Sequence, residues 1–148
     1  MTVTNGRPAV DAGTVLPEWE LPAVSAEKMK TMALVLADPN PIHFDLDSVR
    51  ELGMGDRPVN QGPNNLAYVM NMLAVWSGGH EHLRGIRVRF RGNVLGGDRV
   101  VARGTVSGLR DEAECVLADC DVELVVDDKV VLAGTATVDV THLTGSPQ

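Results

Sequence analysis

Apolar residues in the first part of the chain recur at helical spacing. Four of them repeat every three or four positions and predict one face of a helix: Met29, Met32, Ala33 and Leu36. Ser25 can cap this helix at its start, because its hydroxyl can accept a hydrogen bond from a free backbone amide. Pro39 ends the helix, since the residue before a proline avoids the α conformation. Farther on, Asp45 can cap a short helix that Gly53 terminates.

A second long helix is predicted over residues 62–78. Almost every position of this segment is apolar, so it has hardly any polar side. A helix that is apolar nearly all round is buried rather than lying on a surface. The rest of the chain must therefore enclose it.

Residues 83–140 change to a period of two, which is typical of half-buried strands. Four alternating runs occupy residues 86–90, 100–106, 116–126 and 130–140. Asp127-Asp128 and Gly96-Gly97-Asp98 have the composition of tight hairpin turns between them. A short edge strand is expected at Val15–Glu20. The predicted fold is α+β, a curved antiparallel sheet around one central helix, in a single domain whose residues 1–13 and 142–148 form flexible tails.

Composition excludes several classes of function. The 148 residues include 13 Lys and Arg against 20 Asp and Glu, a net charge of -7, which disfavours a nucleic-acid partner. The most apolar stretch, residues 66–76, is too short to span a bilayer, and no export signal is evident, so a cytoplasmic location is expected. Cys115 and Cys120 are expected to be packing residues on opposite faces of a strand.

The segment Asp38-Pro39-Asn40-Pro41-Ile42-His43 carries the clearest chemical signal. Two prolines forbid a helix here, so a fixed loop can bring the side chains of Asp38 and His43 together. Asp38 follows the negative end of a helix dipole, which favours a protonated carboxyl and suits a proton donor. His43 suits a general base near neutral pH. An acid and a base on one loop are what addition or elimination of water requires.

Gly62 begins the apolar helix and predicts an oxyanion hole. Backbone amides at a helix start point outward along the positive end of the dipole. A glycine also lets a ligand carbonyl approach closely. The arrangement suits the oxygen of a thioester.

These residues resemble the MaoC-like, R-specific enoyl-CoA hydratases of the hot-dog fold. The motif from Asp38 to His43, Gly62 at the head of an apolar helix, and Phe90 followed by Gly97-Asp98-Arg99-Val100 carry the resemblance, which covers roughly residues 14–140. It implies a hydratase or dehydratase acting on a 2-enoyl thioester, in which Asp38 and His43 activate water and the Gly62 amide polarises the carbonyl.

Two positions depart from the family pattern. The family usually has glycine where Ala37 precedes the motif and histidine where Gln61 precedes the helix glycine. Both positions adjoin the expected pocket and affect the choice of substrate more than the chemistry. Four residues are expected to contact substrate: Asn40, Gln61, Asn64 and Met70.

The resemblance implies no metal or redox cofactor, with coenzyme A or an acyl carrier entering as part of the substrate. It also implies a homodimer, or a heteromer with another MaoC-like chain. A hot-dog thioesterase and a subunit that needs a partner chain are the alternatives. The sequence leaves the acyl group open, as short, long, branched or polycyclic.

The remaining charged side chains have less specific interpretations. The alternating Arg87, Arg89 and Arg91 could meet the phosphates of coenzyme A, but a solvated strand face paired with acids on the neighbouring strand is favoured. His80 and His82 are expected in a surface loop, and His142 in a disordered tail.

Overall fold

A computed structural model describes residues 10–143 of the chain. Within them, five strands form one antiparallel sheet in the order β1-β3-β4-β5-β2. The helices are α1 (Ala26–Val35), α2 (Leu46–Glu51) and α3 (Gly62–Ser77); the strands are β1 (Trp19–Leu21), β2 (Leu83–Phe90), β3 (Val100–Glu112), β4 (Cys115–Val126) and β5 (Lys129–Asp139). The predicted α+β class and antiparallel sheet are confirmed.

The predicted helix boundaries agree closely with the structure. The Ser25 hydroxyl accepts a hydrogen bond from the Lys28 amide at 3.2 Å and so caps α1. Asp45 caps α2 in the same way, and Gly53 follows α2 with φ of 69°. The end of α1 differs slightly, because the chain leaves the helix at Ala37, which has φ of 50°, before it reaches Pro39.

One of the two predicted hairpin turns is correct. Asp127 and Asp128 both have positive φ, 47° and 63°, and join the paired strands β4 and β5. The segment Gly96-Gly97-Asp98 also turns, with the Asp98 amide bonded to the Leu95 carbonyl at 3.0 Å. It does not form a hairpin, because β3 pairs with β1 and β4, whereas β2 pairs with β5 at the far edge. Turn composition predicts a reversal of the chain but not which strands pair.

The sheet covers one side of the central helix α3. Val69, Met72 and Leu73 on that side are at most 1% exposed. Val75 on the other side is 69% exposed, so the expectation that the rest of the chain encloses this helix is only partly correct. The edge strand also lies a few residues later than expected: β1 is Trp19–Leu21, and only an isolated bridge to Thr105 remains at Val15.

The chain termini within the described residues pack onto the core. Val10 and Leu143 are buried, and the Gly13 amide donates to the Val106 carbonyl at 2.7 Å. His142 stacks on His82 with ring centroids 4.0 Å apart, and its Nε2 lies 2.5 Å from the Ser77 carbonyl oxygen. The predicted flexible tails are therefore wrong for residues 10–13 and 142–143. Their remaining parts, 1–9 and 144–148, lie outside the described residues.

The two cysteines behave as packing residues. Cys120 is buried and Cys115 is half-buried, in line with their predicted opposite faces, and both are free thiols. Burial raises the pKa of the Cys120 thiol to about 12, and the neighbouring Asp119 and Asp121 add to this effect.

None of the helices in residues 10–143 is long and apolar enough to cross a membrane.

Asp139 at the end of β5 gives a testable pH dependence of stability. The hydroxyl and amide of Thr141 donate to its Oδ1 at 2.6 and 3.0 Å, and Arg84 Nη2 lies 2.9 Å from its Oδ2. The hydrogen bonds from Thr141, followed by that from Arg84, lower the pKa of this carboxyl to about 2. Its stabilising effect is therefore complete above the ordinary pKa near 3.8 and is lost as the pH falls through about 2.

We expect Asp139→Asn to lower the melting temperature at pH 7 by several degrees, because charge-assisted hydrogen bonds typically contribute about 1.5–3 kcal/mol. The difference from the unmodified chain should shrink between pH 4 and pH 2. Thermal melts across this range measure it, and a difference that does not change with pH would contradict the assignment.

Candidate active site

Asp38 and His43 lie together, as the spacing of the two prolines predicted. Asp38 Oδ2 is 3.2 Å from His43 Nε2. The intervening chain is more regular than a loop, since Pro41–His43 form one turn of 3₁₀ helix capped by Asn40, whose side chain accepts from the Ile42 amide at 3.3 Å. We call these two side chains the Asp38–His43 pair. Their catalytic role stays a prediction.

The other ring nitrogen of His43 fixes the tautomer of the imidazole. His43 Nδ1 lies 2.6 Å from the carbonyl oxygen of Val59, which can only accept a hydrogen bond. Nδ1 therefore carries a proton and donates it. In the neutral ring, Nε2 is then the nitrogen with a lone pair, and it faces the Asp38 carboxyl.

An extended segment connects the pair to the start of α3. The Val59 amide donates to the Ile42 carbonyl at 2.9 Å, and the Asn60 amide donates to the Val94 carbonyl at 2.7 Å. Residues 59–61 are thus held between the turn that carries His43 and the chain that leads to β3. Gly62 follows directly, so the helix start and the Asp38–His43 pair belong to adjoining elements.

Gly62 has two features that bear on its expected role. Within residues 10–143 its backbone amide has no hydrogen-bond acceptor, which leaves the amide available as a donor. A side chain at this position would begin 3.3 Å from the Phe90 ring. The glycine therefore lets Phe90 approach the helix start closely, a structural reason for it that the sequence did not indicate.

A network of side-chain amides braces the same helix start. Asn60 donates to Asn65 at 2.8 Å, and Asn64 donates to the oxygens of Asn60 and Gln61, each at 3.0 Å. Gln61 donates in turn to the Met29 carbonyl of α1 at 2.8 Å. The network links α1 to α3, and the sequence signal for it was four amide residues between positions 60 and 65.

The expected substrate contacts fall into different environments. Gln61 is fully buried with its amide groups bonded inside the protein, so the structure gives it a bracing role instead of the predicted contact with substrate. Asn40 is exposed beside the Asp38–His43 pair. Asn64 is half-buried in the amide network, and Met70 is half-buried two helical turns after Gly62 on the same side of α3. Contact of these last three with substrate stays a prediction.

A groove beside Asp38 was missed by the sequence reasoning. It has a volume of about 720 Å³. Seven residues line what we call the α1 groove: Lys30, Ala33, Leu34, Ala37, Asp38, Pro39 and Phe44. Leu34 is 84% exposed and Phe44 is 44% exposed. The available signal was Leu34, which interrupts the polar side of α1.

Arg87, Arg89 and Arg91, on and just after β2, do not form the expected ion pairs, whereas Arg84 of the same strand does pair with Asp139 of β5. The neighbouring strand β5 places Thr135 opposite Arg87 and Ala133 opposite Arg89, while the nearest acids lie one strand farther away, on β4. Within the described residues no carboxylate lies within 4 Å of Arg87, Arg89 or Arg91. All three side chains are exposed, so the solvated face is confirmed and only the pairing of these three arginines with acids is wrong. Phosphate binding by them stays a prediction. Residues 10–143 contain no cluster of His, Cys, Asp and Glu that could hold a metal ion.

Comparisons with known proteins agree with this architecture. The family model described as a MaoC like domain matches residues 13–127. An (R)-hydratase from A. caviae, involved in PHA biosynthesis, has 21% identity and a TM-score of 0.76, over 87% of this chain and 96% of its own. No curated protein sequence matches the chain.

Two further solved structures are complexes from Mycobacterium tuberculosis. A chain of the ChsH1-ChsH2 complex has 20% identity and a TM-score of 0.73, over 86% of this chain and 96% of its own. A chain of the C-terminally truncated HadBC complex, a 3R-hydroxyacyl-ACP dehydratase, has 18% identity and a TM-score of 0.70, over 90% of this chain and 98% of its own. At these identities the likeness establishes the hot-dog fold.

The bracing role of Gln61 can be tested by removing its amide. Gln61→Leu should lower the free energy of unfolding by about 1–3 kcal/mol, because the Met29 carbonyl and the Asn64 amide lose buried partners. Asn71→Leu on the same helix is the matched control, since the Asn71 side chain forms no hydrogen bond within the described residues. Denaturant unfolding measures both variants, and equal losses would contradict the bracing role.

Proposed function

Because this chain belongs to the MaoC-like domain family, we propose that it catalyses the reversible addition of water across the double bond of a 2-enoyl thioester. The thioester would carry coenzyme A or an acyl carrier as its handle. The observation that supports this most is the 3.2 Å contact of the Asp38–His43 pair, with His43 Nδ1 anchored on the Val59 carbonyl. Hydration needs a base that takes a proton from water and an acid that protonates C2 of the enoyl group, and this pair can supply both.

In the proposed reaction His43 acts on the water molecule. Its Nε2 takes a proton from water while the water oxygen forms a bond to C3 of the enoyl group. The bond to Val59 supports this step, because it holds the ring in one tautomer and stabilises the imidazolium that forms. Electrons from the double bond move to the thioester oxygen, which becomes an enolate.

The enolate oxygen needs a hydrogen-bond donor that is already in position. We assign this role to the Gly62 amide, which lies at the positive end of the α3 dipole and has no acceptor among the described residues. A peptide N–H in that position is fixed by the helix, so it needs no reorganisation as charge develops.

Protonation of C2 completes the reaction. Asp38, as a carboxylic acid, gives its proton to C2 while the enolate collapses back to the thioester. The imidazolium of His43 then returns a proton to Asp38 across their 3.2 Å contact. The net change is OH on C3 and H on C2, and both side chains regain their starting states. Dehydration follows the same steps in reverse.

We further propose that the chain works with a second hot-dog chain, either another copy or a different one. Within residues 10–143, strand β2 lies at the edge of the sheet with one side unpaired, and exposed sheet edges favour pairing or cover. Val75 of α3 and Leu52 beside α2 expose 69% and 63% of their surfaces, which a partner chain would cover.

The assignment of the Asp38–His43 pair predicts the effect of two substitutions. Asp38→Asn removes the transferable proton, and His43→Ala removes the base. Each should lower the hydration rate of a good enoyl-CoA substrate by about a hundredfold or more, because a positioned acid or base typically supplies 10²–10⁴. The double variant should lose little more, since the two groups act as a unit.

Loss of enoyl absorbance measures this rate, and a thermal melt shows that each variant folds. Normal melting combined with hydration at the unmodified rate would reject the assignment. Release of free thiol from a saturated acyl-CoA would instead indicate the thioesterase activity that is the alternative.

The assembly proposal predicts the mass of the purified chain. Light scattering should give at least twice 15.8 kDa for the chain alone if it forms a homodimer, or after addition of its partner if it forms a heteromer. A monomer that hydrates its substrate at full rate without any second chain would contradict the proposal.

A further inference from the structure

We infer that the α1 groove binds the acyl group of the substrate, that this group is large and apolar, and that Ala37 sets the width of the groove beside Asp38. This inference rests on the proposed function, because it takes Asp38 as the residue next to the reacting carbons. It goes further by choosing among the acyl groups that the sequence left open.

The size of the groove favours a large group. Its volume of about 720 Å³ lies within the roughly 300–1,000 Å³ typical of pockets for drug-sized ligands. A four-carbon acyl group would leave most of that space to water. Leu34 and Phe44 would then stay exposed, although covering apolar surface is favourable.

The chemistry of the lining favours the acyl end of the thioester over its coenzyme A end. Among the described residues that line the groove, Lys30 is the only ionisable one apart from Asp38, and its side chain is engaged with Glu27 at 3.1 Å. The amides and phosphates of coenzyme A need polar partners, and this groove supplies few. A hydrocarbon needs none.

The groove also adjoins the Asp38–His43 pair through Asp38. Asp38 lines the groove, and the same carboxyl faces His43. Its side chain is 34% exposed, whereas that of His43 is 8% exposed, so the pair is open to solvent mainly on the Asp38 side. A substrate whose C2 and C3 lie at the pair therefore extends into the α1 groove with the rest of its acyl chain.

Ala37 is singled out by its backbone together with its place in the groove. Its φ of 50° lies in the left-handed region, which disfavours residues with a Cβ and normally holds glycine at the end of a helix. The chain nevertheless keeps a methyl group here, in the wall of the groove and next to Asp38. Ala113 has the same kind of backbone strain, so what distinguishes Ala37 is its place in the groove wall beside Asp38, where its methyl group limits the shape of the bound acyl group.

Binding of saturated thioesters tests the groove without relying on hydration. Calorimetric titration of the full chain should show decanoyl-CoA binding at least about tenfold more tightly than butanoyl-CoA, because more apolar surface is buried. Leu34→Asp and Phe44→Ala should each reduce this ratio to about threefold or less, because the loss of affinity should be larger for decanoyl-CoA than for butanoyl-CoA. Val15→Asp, at a residue 72% exposed on the sheet edge, is the matched control and should keep the ratio.

Several outcomes would overturn the inference. One is that the unmodified chain fails to bind decanoyl-CoA or binds it no more tightly than butanoyl-CoA. Another is that Leu34→Asp and Phe44→Ala both keep the affinity ratio of the unmodified chain. A change of mass in light scattering caused by Leu34→Asp, without a change in acyl preference, would identify the groove as a protein interface instead.

Ala37→Gly tests the role of the methyl group, with Ala113→Gly as its control. Ala113 has nearly the same φ, 48°, but lies in the β3–β4 hairpin and not in the groove. Both substitutions relieve the same backbone strain, so both should raise the melting temperature. Only Ala37→Gly should change the affinity ratio of cyclohexanecarbonyl-CoA to butanoyl-CoA, by about threefold or more in favour of the ring. An unchanged ratio would overturn the role of Ala37.

The two proposals fail in different ways. Hydration of crotonyl-CoA without any preference for long saturated thioesters would refute acyl binding in the α1 groove but would still support the proposed function. Tight, groove-dependent binding of decanoyl-CoA with no hydration of decenoyl-CoA would refute the proposed function and keep the groove.

Discussion

The hydrogen bond between His43 Nδ1 and the Val59 carbonyl is the interaction on which the candidate site depends. It is 2.6 Å long and buried, and it joins two segments that are sixteen residues apart in the chain. It settles which nitrogen of His43 can accept a proton, and it holds the turn of the Asp38–His43 pair against the segment that leads into α3. Without it the imidazole could rotate or change tautomer, and Asp38 would face a donor instead of an acceptor.

This interaction is maintained by the polar groups around it. Two backbone hydrogen bonds fix the position of the Val59 carbonyl. The Val59 amide donates to the Ile42 carbonyl, and the Asn60 amide donates to the Val94 carbonyl. Gln61 ties the same segment to α1, the helix whose end carries Asp38. A fully satisfied buried network is rigid, because breaking any one bond leaves a costly unpaired group. The pair is thus positioned by two elements that are also bonded to each other.

Most of the fold could be predicted from local patterns, because helix periodicity, strand alternation and caps act over a few residues. Ser25, Asp45 and the Asp127-Asp128 turn are examples whose effect depends on their immediate neighbours. The pairing of β2 with β5 could not be predicted in this way, since it is decided by which edge remains free once β1, β3, β4 and β5 have paired. The role of Gln61 and the packing of His142 on His82 likewise depend on residues distant in sequence. The proximity of Asp38 and His43 was predictable because two prolines restrict the chain between them.

The helix stop and the candidate chemistry at Asp38 use different oxygens of one carboxyl group. Oδ1 accepts the Asn40 amide at 3.0 Å and stabilises the turn that follows α1, while Oδ2 faces His43. A turn with no further role would require only the first of these contacts. The second contact needs the 3₁₀ turn at Pro41–His43, which rotates His43 back toward the end of α1 and into contact with the Val59 carbonyl. Because the bond to Asn40 fixes the orientation of the carboxyl, the structural contact also aims Oδ2 at the imidazole.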